Sequence, residues 1–168
     1  MISKRKYKIA TILPYKESYT LENASAVSLW VSEFFNKSKF KNDNYIFGNA
    51  NSRNYLTNNY INVPLKNLKL KFRSTSNEYI EKLFKKFIEE KFDIIEIHNR
   101  PLVLFKLLNK INSKFIMYYH NDPLTMSGSK LISEREEILR KVDKLVFISK
   151  WVKKRFFEGL DDKDNKTE

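Results

Sequence analysis

Lys114-Phe115-Ile116-Met117-Tyr118-Tyr119-His120-Asn121-Asp122-Pro123 is an apolar run that ends in a histidine and is closed by a proline. Its length suits a buried strand, and the polar residues behind it suit the loop at a strand's C-terminal end. Phe92-Asp93-Ile94-Ile95-Glu96-Ile97-His98-Asn99-Arg100-Pro101 repeats the arrangement one strand earlier, with His98 in the place of His120. The chain has no other histidine. Open α/β sheets gather their chemistry at the C-terminal edges of their strands, so two imidazoles at two adjacent strand ends mark a candidate site.

Outward from these two segments, the chain alternates strand and helix patterns. Tyr7–Leu13 opens as a strand stopped by Pro14. Val27, Trp30, Val31, Phe34 and Phe35 then recur at helical spacing, with Asn23 as the expected N-cap. Tyr45–Gly48 and Tyr60–Val63 read as short strands separated by a polar loop. Residues 66–73 alternate basic and apolar side chains imperfectly, which fits an edge strand, an extended basic loop near a membrane, or a solvated connection. Thr75 and Glu78 form a capping-box pattern ahead of an apolar stripe of Ile80, Leu83, Phe84, Phe87 and Ile88.

Pro101 suits the first turn of a further helix, whose expected apolar face is Phe105, Leu108 and Ile111. A helix from about Leu131 to Arg140 precedes the strand Val142–Ile148. Ser149 is then placed to cap a short helix through Trp151, Val152 and Phe156, ended by Gly159, with Trp151 and Phe156 expected in the core. This order predicts an α/β, Rossmann-like domain with a mostly parallel sheet and helices on both faces. Residues 1–160 form the expected domain, and 161–168 a polar tail or the start of an interdomain linker.

Composition narrows the chemistry. At 168 residues, with thirteen Phe and nine Tyr, the chain can bury a core of its own. It has no cysteine, which excludes disulfides, thiolate metal ligands and a Cys nucleophile. The apolar stretch Ile9–Leu13 is too short for the core of a signal peptide, and no run approaches the ~20 residues that span a bilayer. The net charge of +12 draws the chain toward anionic lipid, nucleic acid or phosphorylated substrates. No zinc-finger or RNA-recognition motif singles out nucleic acid. There is no G-x-G-x-x-G and no G-x-x-x-x-G-K-[ST], so no tightly bound nucleotide cofactor is expected.

An imidazole accepts a proton near neutral pH when its pKa keeps its ordinary value. Asp122 is close enough in sequence to orient His120 or to meet a sugar hydroxyl. The alternative is a structural histidine bonded to the sheet-end backbone. Asn99, Arg100 and Asp122 carry the donors and acceptors that polyols take up. Two histidines without a third ligand do not make a zinc site. Ser149 lacks the G-x-S-x-G context of a nucleophile, and Glu134, Glu136 and Glu137 read as exposed helix carboxylates.

Taken in order, these motifs resemble a known family. Ile12-Leu13-Pro14-Tyr15, Ala26-Val27-Ser28-Leu29-Trp30, Asp93–Pro101, Tyr119–Pro123 and Val142–Val152 with Phe156 are similar to the N-terminal half of bacterial glycosyltransferases of family 4. Those are retaining enzymes of two Rossmann-like domains, the GT-B fold. The resemblance implies an acceptor-binding domain in which His120 acts on the transferred sugar or acceptor. His98, Asn99, Arg100, Asn121 and Asp122 would bind substrate, and Asn23, Ala24 and Ser25 would form a donor-proximal loop. That loop has no glycine where the family usually carries glycines.

The resemblance further implies a nucleotide sugar as co-substrate and a glycan or lipid-linked acceptor from the cell envelope. The partner it implies is a C-terminal donor-binding domain, in cis or in trans, without which the chain is expected to be inactive. The setting implied is the cytoplasm, with peripheral contact at the inner face of an anionic membrane. The competing reading is a non-enzymatic binding domain for an anionic glycan or membrane surface.

Overall fold

The computed structural model describes residues 7–65 and 74–160. The basic-apolar alternation of 66–73 and the polar tail 161–168 lie outside the described residues. The fold is α/β and Rossmann-like, with six β-strands and five α-helices among the described residues. The chain divides into two compact units, residues 1–95 and 96–168.

In the first unit the strand order is β3-β2-β1, with β1 at Ile9–Ile12, β2 at Asn44–Gly48 and β3 at Tyr60–Asn62, all parallel. Every residue of β1 is buried, as expected of a parallel strand covered on both faces. Helix α1, Ala26–Lys37, supplies Val27, Val31 and Phe35 to a core that also holds Leu13, Tyr19, Ile46 and Tyr60. Its N-cap is Ser25 rather than Asn23: the Ser25 side chain accepts the Ser28 N–H at 3.1 Å. Phe34 of the expected stripe is exposed and stacks on Trp30.

Helix α2, Thr75–Glu89, buries Tyr79, Ile80, Leu83 and Phe87, while Ile88 is exposed. Thr75 is its first residue and not its cap. Ser74 takes the cap position without a side-chain bond, and Glu78 instead pairs with Lys82 at 2.7 Å. The Tyr79 hydroxyl donates to the Leu13 carbonyl at 2.9 Å, tying α2 to the end of β1.

The second unit has the order β4-β5-β6, where β4 is Ile94–His98, β5 Lys114–Tyr119 and β6 Lys144–Phe147. Strands β5 and β6 are parallel. Helix α3, Pro101–Leu108, has its proline in the first turn and buries Val103, Leu104 and Leu107. The expected face of Phe105, Leu108 and Ile111 is only half-buried. Helix α4, Ile132–Lys141, buries Arg135 and Ile138.

Helix α5, Lys150–Phe157, starts at Ser149, whose hydroxyl accepts the Val152 N–H at 3.2 Å. Phe156 is fully buried, but Trp151 is 56% exposed and does not belong to the core. It stands in the first turn of a short helix whose buried residues are Val152 and Phe156.

Candidate functional site

Alternation along a strand sends every second side chain to the same face. On β4 this sets Glu96 and His98 together, and on β5 it sets Tyr118 and His120 beside them. The four form two rungs. The Tyr118 hydroxyl donates to Glu96 Oε1 at 3.3 Å, and one rung further His98 Nδ1 lies 2.8 Å from His120 Nε2. The rings are layered: His98 on Tyr118 at 4.4 Å and His98 on His120 at 5.1 Å between centroids. His98 is 1% exposed and His120 8%.

Burial determines the charge state of the pair. Desolvation holds His98 well below its ordinary pKa, and the neighbouring His120 lowers it further. Desolvation pushes His120 down to about 4. Both rings are therefore uncharged at neutral pH, one nitrogen of the contact carrying its proton and the other accepting it. This corrects the expectation of a base poised near neutrality. The ring of His120 serves as a neutral hydrogen-bonding group rather than a ready proton acceptor. For Tyr118, burial and then the Glu96 carboxyl hold the phenol in its protonated form.

The turn out of β4 joins the pair directly. Asn99 is buried, with φ at 51°, and its side-chain oxygen accepts the His120 N–H at 2.7 Å. Its own N–H donates to the Tyr118 carbonyl at 2.9 Å. Arg100 follows, half-buried, at the N-cap position of α3, ahead of Pro101. Asn121, just past β5, is exposed.

Asp122 does not meet His120. Its Oδ1 accepts the Leu124 N–H at 3.0 Å, and its Oδ2 accepts from Arg155 Nε at 3.1 Å and Nη2 at 3.0 Å. Burial alone would raise its pKa, but Arg155 and the Leu124 N–H outweigh that and hold it below the usual carboxylate value. The carboxylate anchors the loop, one oxygen holding the Leu124 N–H and the other Arg155 of α5.

The remainder of this loop is fixed from inside. Ser129 Oγ donates to the Pro123 carbonyl at 2.6 Å, and the buried Arg135 donates to the carbonyls of Ser129, Lys130 and Glu158. Gly128, at φ 94°, approaches so closely that a Cβ there would lie 2.9 Å from the Leu102 nitrogen. No other residue type fits. The loop after β5 is thereby seated on the start of α3, next to the turn that carries Asn99.

The loop Asn23-Ala24-Ser25 belongs to the first unit. Asn23 is exposed and its N–H donates to the Thr20 carbonyl at 3.3 Å, while Ser25 caps α1. Glu134, read as an exposed carboxylate, is half-buried and accepts the Leu131 N–H at 3.0 Å at the start of α4.

The residues that inspection of the sequence missed are Glu96, Tyr118, Gly128 and Arg155. For the first two a signal existed, since each stands two positions before a strand-end histidine. Among the described residues, no three His, Cys, Asp or Glu side chains converge to hold a metal ion.

No protein-family model and no curated protein matches the chain. Solved structures do. Over 92% of this chain and 83% of the other, it is similar to a structure of sucrose-phosphate synthase from Thermosynechococcus elongatus, with a TM-score of 0.58 and 13% identity. A second, longer structure of sucrose-phosphate synthase from the same organism gives a TM-score of 0.55 and 12% identity, over 83% of this chain and 41% of the other. The fold is of the GT-B glycosyltransferase type. The chain spans less than half the length of that second structure. No helix among the described residues is long and apolar enough to cross a membrane.

Proposed function

We propose that the chain is the N-terminal, acceptor-side domain of a retaining, family 4 glycosyltransferase that moves a sugar from a nucleotide sugar to a hydroxyl of an envelope or lipid-linked glycan. The observation that carries this reading is the neutral His98–His120 pair at the C-terminal ends of β4 and β5, in a fold of the GT-B type. A sugar presents many hydroxyls and no net charge, and uncharged imidazoles meet such groups without a competing counter-ion. His120, the more exposed of the two rings, contacts the sugar, and His98 holds it in place from behind.

The donor nucleotide is gripped by a C-terminal domain, in cis or in trans. Asn121 and Arg100 stand at the strand ends as further substrate contacts. Asn23-Ala24-Ser25 is the donor-proximal loop, with small side chains that allow a phosphate to come near the start of α1. The setting is cytoplasmic, at the inner face of the membrane. The basic residues Lys150, Lys153 and Lys154 on α5, with exposed Trp151 among them, favour peripheral contact with anionic lipid.

The test is transfer from a labelled nucleotide sugar to a lipid-linked glycan by this chain together with its donor-binding domain. His120→Ala is expected to lower turnover by about 10²-fold or more, in the range that positioned polar groups contribute to catalysis. The folded state should be intact. Turnover near that of the unaltered enzyme removes His120 from the reaction.

A further inference from the structure

We propose that Asn99 is a positioning residue for His120, its side-chain carbonyl standing in the sheet where a main-chain carbonyl would otherwise stand. In a regular parallel ladder the bonds between two strands run evenly from one residue to the second after it. Asn99 N–H donates to the Tyr118 carbonyl at 2.9 Å, so the next bond should run from the His120 N–H to the main-chain carbonyl of Asn99. At φ 51° the chain has left the extended form at that residue. The bond is made by Asn99 Oδ1, at 2.7 Å. The facing group is a donor, so the amide must present its oxygen.

Two demands meet at one residue. The chain must turn sharply to enter α3, since Arg100 already stands at the N-cap position and Pro101 in the first turn. The His120 backbone must nevertheless remain in register with His98, because the imidazole contact of 2.8 Å depends on it. Among side chains that enter the left-handed region with ease, asparagine and aspartate alone also offer an oxygen at that distance. Glycine accepts the turn but has no oxygen. Asn99 thus acts on the sugar through His120, whose backbone it holds.

This inference rests on His120 being the functional histidine, but its test needs neither donor nor acceptor. Amide hydrogen exchange and imidazole 15N shifts are measured on the whole chain alone. In Asn99→Gly the His120 amide should exchange about tenfold faster, as expected for one lost hydrogen bond, and the His120 ring shifts should move. Asn99→Asp keeps both the turn and the acceptor, so His120 amide protection should stay at the value of the unaltered chain.

Unchanged exchange and ring shifts in Asn99→Gly overturn the proposal. Faster exchange with unmoved ring shifts makes Asn99 a ladder cap only, which overturns it equally. Loss of protection in Asn99→Asp also counts against it. A sugar-transfer assay that fails leaves these readouts untouched, so the two ideas stand or fall separately.

Discussion

The two faces of β5 are built for different purposes. On one, Phe115, Met117 and Tyr119 are buried, and the Tyr119 ring lies 5.7 Å from Phe147 and 5.2 Å from Phe156. On the other, Tyr118 and His120 meet Glu96 and His98 through hydrogen bonds. The strand is buried on both faces, yet only one is apolar. Buried polar groups cost free energy unless paired, and a Phe or Leu would fill the same space more stably. The polar ladder at the C-terminal end of the strand thus marks the candidate site, whereas the opposite face holds the unit together.

The largest effect expected from breaking this contrast is on the apolar side. Phe156→Ala should destabilise the protein by about 3–5 kcal/mol, the usual cost of deleting a buried aromatic ring. Thermal or denaturant unfolding reads it. The imidazole resonances of the surviving folded fraction should be unchanged, because the ring lies on the other face.

A smaller effect comes from the polar side, and it depends on pH. Both histidines are held below their ordinary pKa, so the unfolded chain binds protons that the native chain refuses once the pH falls below about 6.5. Their contribution to stability is complete above that pH. It diminishes as the pH drops toward 4, with a slope of at most about 1.4 kcal/mol per pH unit for each ring. His120→Phe should flatten that part of the curve, measured as unfolding free energy between pH 7 and 4. An identical slope in the variant would mean that the ring titrates normally in the folded state.

The smallest effect belongs to the rim. Asp122→Ala removes the acceptor for Leu124 and the partner of Arg155, both near the surface. The melting temperature should move by less than in either variant above. The Leu124 amide should exchange faster, while the imidazole pair keeps its shifts. A displaced His98 or His120 resonance in this variant would restore a link between Asp122 and the pair.

The sequence carries the fold and the position of the pair in plain form. Apolar runs closed by His98-Asn99-Arg100-Pro101 and by His120-Asn121-Asp122-Pro123 locate two parallel strands and their ends without any tertiary information. Periodicity fails where a segment has no polar phase. Pro101-Leu102-Val103-Leu104-Phe105-Lys106-Leu107-Leu108 is apolar nearly all round, and packing selected Val103, Leu104 and Leu107 for the core. Capping fails where several candidates crowd together. Asn23 and Ser25 are both suitable residues, and only the backbone path decides that Ser25 reaches the Ser28 N–H.

The partner of Asp122 was out of reach because Arg155 stands 33 residues away, on another element. The role of Asn99 was hidden for a different reason. Its place in the sheet depends on one backbone angle, φ at 51°, which a sequence does not display.

Imidazole 15N–1H spectra of the whole chain, recorded from pH 7 to pH 3.5, report directly on whether His98 and His120 form a neutral, hydrogen-bonded pair. Two neutral rings are expected at pH 7, one ring nitrogen of each engaged with the other, with a midpoint for His120 near 4. Midpoints near 6.5 for both rings, titrating independently, would contradict it.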